Sequence, residues 1–162
     1  MSLTPDLVIY LMNQGMRQTD IANEYRVSRQ YINTLAKKGG YISPITTISE
    51  NFPWDEETML RLGTSHLYQS LRLFGHYRLE GWEGVNGTSK DKVVTLIKKL
   101  TAYHLVLDVG DQYPAIPGVS KTPGIGFAQR TPEDENFVVK IRSGVRITPL
   151  GDKIWRLPDQ DE

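Results

Sequence analysis

The stretch QTDIANEYRVSRQYINTLAK, residues 18–37, concentrates side chains that can read a polar surface. With helical spacing in its second half, Ser28, Arg29, Gln30, Asn33 and Thr34 fall on one side, and every one of them hydrogen-bonds. Arg matches the paired acceptors of guanine, and Asn or Gln the donor and acceptor of adenine, so this side suits base edges in a major groove. Around it lie Arg17, Thr19, Arg26, Tyr31, Lys37 and Lys38, cations and hydroxyls of the kind that hold a protein in register on phosphates. The first set is expected to contact bases and the second to contact phosphates.

Two further faces carry similar chemistry. His66, Gln69, Arg72 and Arg78, with His76, are expected opposite an apolar stripe of Leu67, Leu71, Phe74 and Leu79, and Lys90, Lys92, Lys98 and Lys99 crowd another helix on which Lys92 and Lys99 share a face. Both are candidate phosphate-binding surfaces. Enzymatic constellations are poor. His66, His76 and His104 fall in no metal-ligand spacing, and the chain has no Cys. Gly124-Ile125-Gly126 lacks the Lys and Ser or Thr of a phosphate loop, and nothing has the pattern of a nucleophile elbow. No catalytic residue, metal, cofactor or small-molecule ligand is expected.

The reading set needs a helix held against a second one. Ile21, Ala22, Val27, Ile32 and Leu35 provide that small core, with Ala22 allowing a close crossing and Val27 sealing the turn. Such a turn usually takes Gly at the position that Arg26 holds, because its φ is positive. Ser28 is the expected cap of a helix from Arg29 to about Lys38, ended by Gly39 and Gly40. A helix from Gln18 to Tyr25 precedes it, and Thr4, Pro5 and Asp6 start a first helix that runs to about Gln14. Residues 1–43 thus read as a three-helix helix-turn-helix domain.

Residues 44–55 carry two prolines and no sustained period, and read as a linker that docks through Trp54. Residues 56–162 read as a second domain with helices near 65–79 and 90–103, the latter capped by Thr88 or Ser89. LVLDV, residues 105–109, has the composition of a strand, FVVKI and VRIT that of a hairpin turning at Ser143-Gly144, and 110–135 that of a loop. Pro149 opens a last short helix. The fold expected is mainly α with a small β-hairpin or sheet.

At 162 residues, 39% hydrophobic and 23% charged, the chain falls in the ordinary globular range. Zero formal net charge argues against nucleic acid until its distribution is considered. Residues 1–43 hold Arg17, Arg26, Arg29, Lys37 and Lys38 against Asp6, Asp20 and Glu24, and 88–104 hold the four lysines against Asp91. No apolar run reaches the roughly 20 residues of a membrane span. A soluble cytoplasmic protein without membrane contact is expected.

VSRQYINTLAKKGG (27–40), NFPWD (51–55), QSLRLFGHYRLEG (69–81), LVLD from Leu105 and ITPLGDKIW (147–155) together resemble the immunity repressors of temperate mycobacteriophages, which hold a prophage silent. The resemblance covers almost the whole chain. It implies a helix-turn-helix joined to a second domain that also engages DNA. It further implies a monomer on short asymmetric sites, at an operator and at stoperators that block elongation elsewhere in the phage genome. Two other readings of the residues stand beside it. One is a dimeric helix-turn-helix regulator whose residues 56–162 bind an effector or dimerise. The other is a relative of site-specific recombinases, disfavoured because no Ser or Tyr lies in an arginine-rich cluster.

Overall fold

The computed structural model describes residues 2–118 and 121–159 and divides into two compact units, Met1–Ser43 and Pro44–Glu162. Both are dominated by helices, and the second adds a two-stranded antiparallel sheet.

The first unit consists of α1 (Pro5–Asn13), α2 (Gln18–Tyr25) and α3 (Arg29–Lys38). Its helix starts are local chemistry: the Thr4 hydroxyl accepts the Leu7 N–H at 3.1 Å, and the Ser28 hydroxyl accepts that of Tyr31 at 3.1 Å. Val8, Ile21, Ala22, Ile32, Leu35 and Ala36 are buried together. Arg26 follows α2 with φ 57° and ψ 45°, the left-handed conformation that the turn demands. Val27 does not seal that turn from inside. It remains 36% exposed, because the left-handed residue before it directs the chain outward and Ala36 and Val8 complete the core instead.

The second unit contains α4 (Pro44–Glu50), α5 (Glu56–Arg61), α6 (His66–Glu80), α7 (Gly87–Ala102), β1 (Leu105–Val109), β2 (Ile125–Gln129) and α8 (Gly151–Ile154). Residues 44–55 are not a linker. Pro44 begins α4, and Ile48, Phe52 and Trp54 are buried in the core of this unit. Phe52 packs its ring against Trp54, Tyr68 and Trp155 at centroid distances of 5.8, 5.2 and 5.1 Å. The carbonyl of Asn51 accepts the Trp155 indole N–H at 2.8 Å, the Thr148 hydroxyl donates to Asn51 Oδ1 at 2.7 Å, and the Arg146 N–H donates to the Pro53 carbonyl at 2.8 Å. The Asn-Phe-Pro-Trp-Asp segment is therefore held from the far end of the chain, and its irregular backbone finds its partners there. Gly75 lies where α6 meets Trp155; a Cβ there would stand 2.6 Å from the indole ring.

β1 forms as expected, but its partner differs. Leu105 pairs with Gln129, Leu107 with Phe127 and Val109 with Ile125, so a strand lies inside the expected loop 110–135. Gly126 makes this possible: a side chain there would meet the Tyr113 ring at 2.5 Å. Residues 137–141 and 145–148 do not form a hairpin. The first run meets β1 through a single parallel bridge, Leu107 to Val139, and the second is bound to residues 50–53. Strand propensity is satisfied there by burial of Phe137, Val138 and Val139 rather than by a ladder. The cap of α7 also moves: Asn86 Oδ1 accepts the Ser89 N–H at 3.2 Å, which puts the helix start ahead of Thr88.

Two buried carboxylates fasten the irregular C-terminal segment. Asp108 accepts the Tyr113 hydroxyl at 2.7 Å and the Arg142 guanidinium at 2.9 Å. Asp134 accepts Lys140 Nζ at 2.9 Å and the N–H groups of Thr131 and Ile141, each at 2.8 Å. Burial raises the Asp134 carboxyl, but these donors outweigh it and hold the group below the ordinary carboxylate range. Burial, then the bond to Asp108, pushes the Tyr113 hydroxyl up to about 12.

Candidate nucleic-acid interface

The buried side of α3 is Ile32, Leu35 and Ala36. At about 100° per residue, the direction opposite them is taken by Gln30, Thr34 and Lys37, within an arc of about 60°. Arg29 and Asn33 flank this arc on one side, and Tyr31 and Lys38 on the other. Ser28, Arg29, Gln30, Thr34, Lys37 and Lys38 are exposed, and Tyr31 is 42% exposed. Gly39 after the last turn leaves room beside α1, since a Cβ there would stand 2.7 Å from Ile9.

Not every polar group on this side is available. The Thr34 hydroxyl donates to the Gln30 carbonyl at 3.0 Å and keeps only its acceptor capacity. Ser28 is occupied as the cap of α3. Asn33 is half-buried, and its Oδ1 accepts Gln18 Nε2 at 3.4 Å. Gln18 stands outside both sets read from the sequence, which held no signal beyond its place at the start of α2.

Of the cations around α3, Arg26, Lys37 and Lys38 have no carboxylate partner among the described residues, and Thr19 is exposed. Arg17 differs. Its guanidinium donates twice to Asp20 at 3.1 Å, and that pairing raises the Arg17 pKa and lowers that of Asp20. A surface pair of this kind adds little stability, but the carboxylate weakens the field of Arg17.

In the second unit, α6 does not present Arg72 and Arg78 on one face. Six residues on a helix turn through about 600°, which leaves the two about 120° apart. Position 78 follows the buried arc of Leu67, Leu71 and Phe74. Arg72 is drawn inward: it donates to the Tyr68 hydroxyl at 3.1 Å and to the Ser49 hydroxyl at 3.0 Å, with its guanidinium 5.7 Å from the Phe52 ring centre. Gln69 donates to the Gly63 carbonyl at 3.3 Å.

His66 is brought to a different place, where it lines a cavity of about 170 Å³ with Lys92 and Lys99 of α7, and Phe127 of β2. Lys99 Nζ stands 5.9 Å from the Phe127 ring centre. Asp91 lines the same cavity and lowers its positive field. Lys98 projects from a separate side of α7, and Lys90 Nζ rests 4.9 Å over Trp82, which stacks on Tyr77 at 3.9 Å. None of the four α7 lysines has an ion pair among the described residues.

Among the described residues, no helix is long and apolar enough to cross a membrane, and no group of three or more His, Asp or Glu is arranged to hold a metal ion.

No family model matches the chain. Across 154 residues it is 27% identical to the repressor-like immunity protein of Mycobacterium phage L5, an alignment that covers 94% of this chain and 82% of that protein. This similarity over most of both chains is consistent with the resemblance to phage immunity repressors.

Proposed function

We propose that the chain is a sequence-specific, double-stranded DNA-binding transcriptional repressor without catalytic activity. It maintains lysogeny and superinfection immunity in the host cytoplasm. The observation that carries this reading is α3: one side buried against α1 and α2, the other presenting Arg29, Gln30, Thr34 and Lys37 to solvent, after a left-handed turn at Arg26. That is the arrangement of a helix-turn-helix whose second helix enters a major groove. The homologous immunity protein supports the biological role.

One recognition helix reads only a few base pairs, and most regulators double it by dimerising. Among the described residues no helix is long enough for a sustained heptad seam, the longest being the 16-residue α7. The second unit therefore supplies the further contacts in our reading, through His66, Lys92 and Lys99, with Lys90 and Lys98 on other sides of α7. One protomer then covers one short asymmetric operator or stoperator site. Arg72 and Arg78 are withdrawn from this surface.

A second reading has an observation of its own. A cavity of about 850 Å³ in the second unit is lined by Trp54, Met59, Tyr68, Arg72 and Arg146 among others, a size and composition suited to an effector. On that reading the chain is a dimeric regulator that a small molecule controls. Selection of bound duplexes from a random pool, with the stoichiometry of the complex by sedimentation, separates the two. An asymmetric consensus bound by one protomer is expected; a palindrome bound by two would favour the effector-controlled dimer.

A further inference from the structure

We propose that Gln18 sets the hydrogen-bonding polarity of Asn33, so that Asn33 offers DNA its Nδ2 donors and reads a base that presents an acceptor. The inference rests on the reading of α3 as the recognition helix. It replaces the simpler expectation that Asn33 pairs with adenine.

A side-chain amide has one acceptor oxygen and one nitrogen with two donors, and the two ends face opposite ways. Pairing with adenine uses both ends at once, the nitrogen toward N7 and the oxygen toward the N6 amino group, so both must lie in the plane of the base. Asn33 cannot arrange this. Its Oδ1 is turned toward α2, where Gln18 Nε2 donates to it at 3.4 Å, while Nδ2 has no protein partner among the described residues. Gln18 is the first residue of α2 and is half-buried like Asn33, so neither amide swings freely in water. Asn33 flanks the exposed arc of α3 rather than occupying its middle, and an outward Nδ2 from there points toward the groove. Guanine N7 and O6, thymine O4 and adenine N7 are the acceptors it can meet.

The test uses the full chain and a duplex set built from the selected site with every single-base change. Asn33→Ala is expected to abolish preference at one position, which identifies the base that Asn33 reads. Gln18→Leu is expected to lower preference there by about tenfold, a loss at the low end of that for one base contact, with the other positions unchanged. Gln18→Glu is the decisive variant. A carboxylate only accepts, so it holds Asn33 Nδ2 and turns Oδ1 outward. Preference at that position is then expected to move from an acceptor-bearing base toward cytosine, whose N4 amino group donates. An acid in the first turn suits the start of α2, so the variant is expected to keep the melting temperature of the parent. If Asn33→Ala abolishes the preference but Gln18→Glu leaves it unchanged, or weakens all duplexes alike, Gln18 does not position Asn33. If the unaltered chain binds every duplex equally, base reading by α3 itself fails, a different result from the first.

Discussion

In the first unit Arg29, Lys37 and Lys38 stand in water on the outside of a helix, whereas in the second Arg130, Arg142 and Arg146 are bound into the fold. Arg130 donates to the carbonyls of Leu105, Glu135 and Phe137, and Arg146 to those of Glu50 and Phe52. Arg156 donates to Asp152 and Glu135 and closely to Asn136. The contrast follows from secondary structure. Helices satisfy their own carbonyls and leave a cation free, while residues 130–157 form little regular structure and their carbonyls and carboxylates need outside donors. A count of basic residues therefore overstates the cationic surface of the second unit, where these arginines are bound into the fold and the lysines of α7 have no ion pair among the described residues.

Removing the centre of the second unit alone has the largest expected effect. Trp155 is fully buried, touches Phe52 and binds Asn51, so Trp155→Ala is expected to destabilise that unit by about 3 to 5 kcal/mol. Calorimetry should then show the transition of residues 44–162 lowered and that of residues 1–43 retained. A single transition that falls as a whole would mean the units do not fold independently. Gly75→Ala, which forces a methyl group into the same indole, is expected to act in the same direction.

Next in size are the residues proposed to read bases. Arg29→Ala and Gln30→Ala are each expected to weaken binding to the preferred duplex by about 1 to 3 kcal/mol and to relax preference at one or two base pairs. Both side chains are exposed, so the melting temperature should hardly move. Equal loss on all duplexes would assign these residues to phosphates.

Smaller effects should separate free from committed cations. Lys37→Ala is expected to lower the slope of log affinity against log salt by about one unit, and Lys92→Ala with Lys99→Ala by about two, with sequence preference intact. Arg72→Ala is expected instead to lower the stability of the second unit and leave the salt slope unchanged, because its guanidinium serves Ser49 and Tyr68. A reduced slope for Arg72→Ala at unchanged stability would place it on the DNA after all.

Acid and alkali act on the second unit through different groups. Asp134 has a folded pKa below its unfolded one, so its contribution is present above about pH 4 and disappears as pH falls through the folded value. Tyr113 has the opposite sign. Its folded pKa of about 12 exceeds the unfolded value, so its contribution is complete below about pH 10 and is lost as pH rises toward 12. Melting curves of the second unit are expected to shift less with acid in Asp134→Asn and less with alkali in Tyr113→Phe. Unaltered pH profiles in both variants would show that these groups do not fasten the C-terminal segment.

The helices of the first unit could be read nearly residue by residue, because each is decided within a few positions: Thr4 and Ser28 cap, Arg26 turns, and an apolar period selects the buried side. Helices α6 and α7 and strand β1 were legible for the same reason. Residue types alone also established the polar outer side of α3 and the absence of thiolate chemistry. Other features depended on partners far along the chain. Residues 51–55 looked like a linker because their partners, such as Trp155, lie as far as 104 positions away. The strand Ile125–Gln129 has weak strand composition and exists because β1 and the ring of Tyr113 accept it. Which cations face solvent was likewise a tertiary matter, since a guanidinium reaches several ångströms and binds whichever carbonyl or carboxylate the fold leaves unsatisfied. Local capping and periodicity are short-range interactions that a sequence displays directly, whereas the pairing of distant polar groups is decided only when burial makes leaving them unpaired too costly.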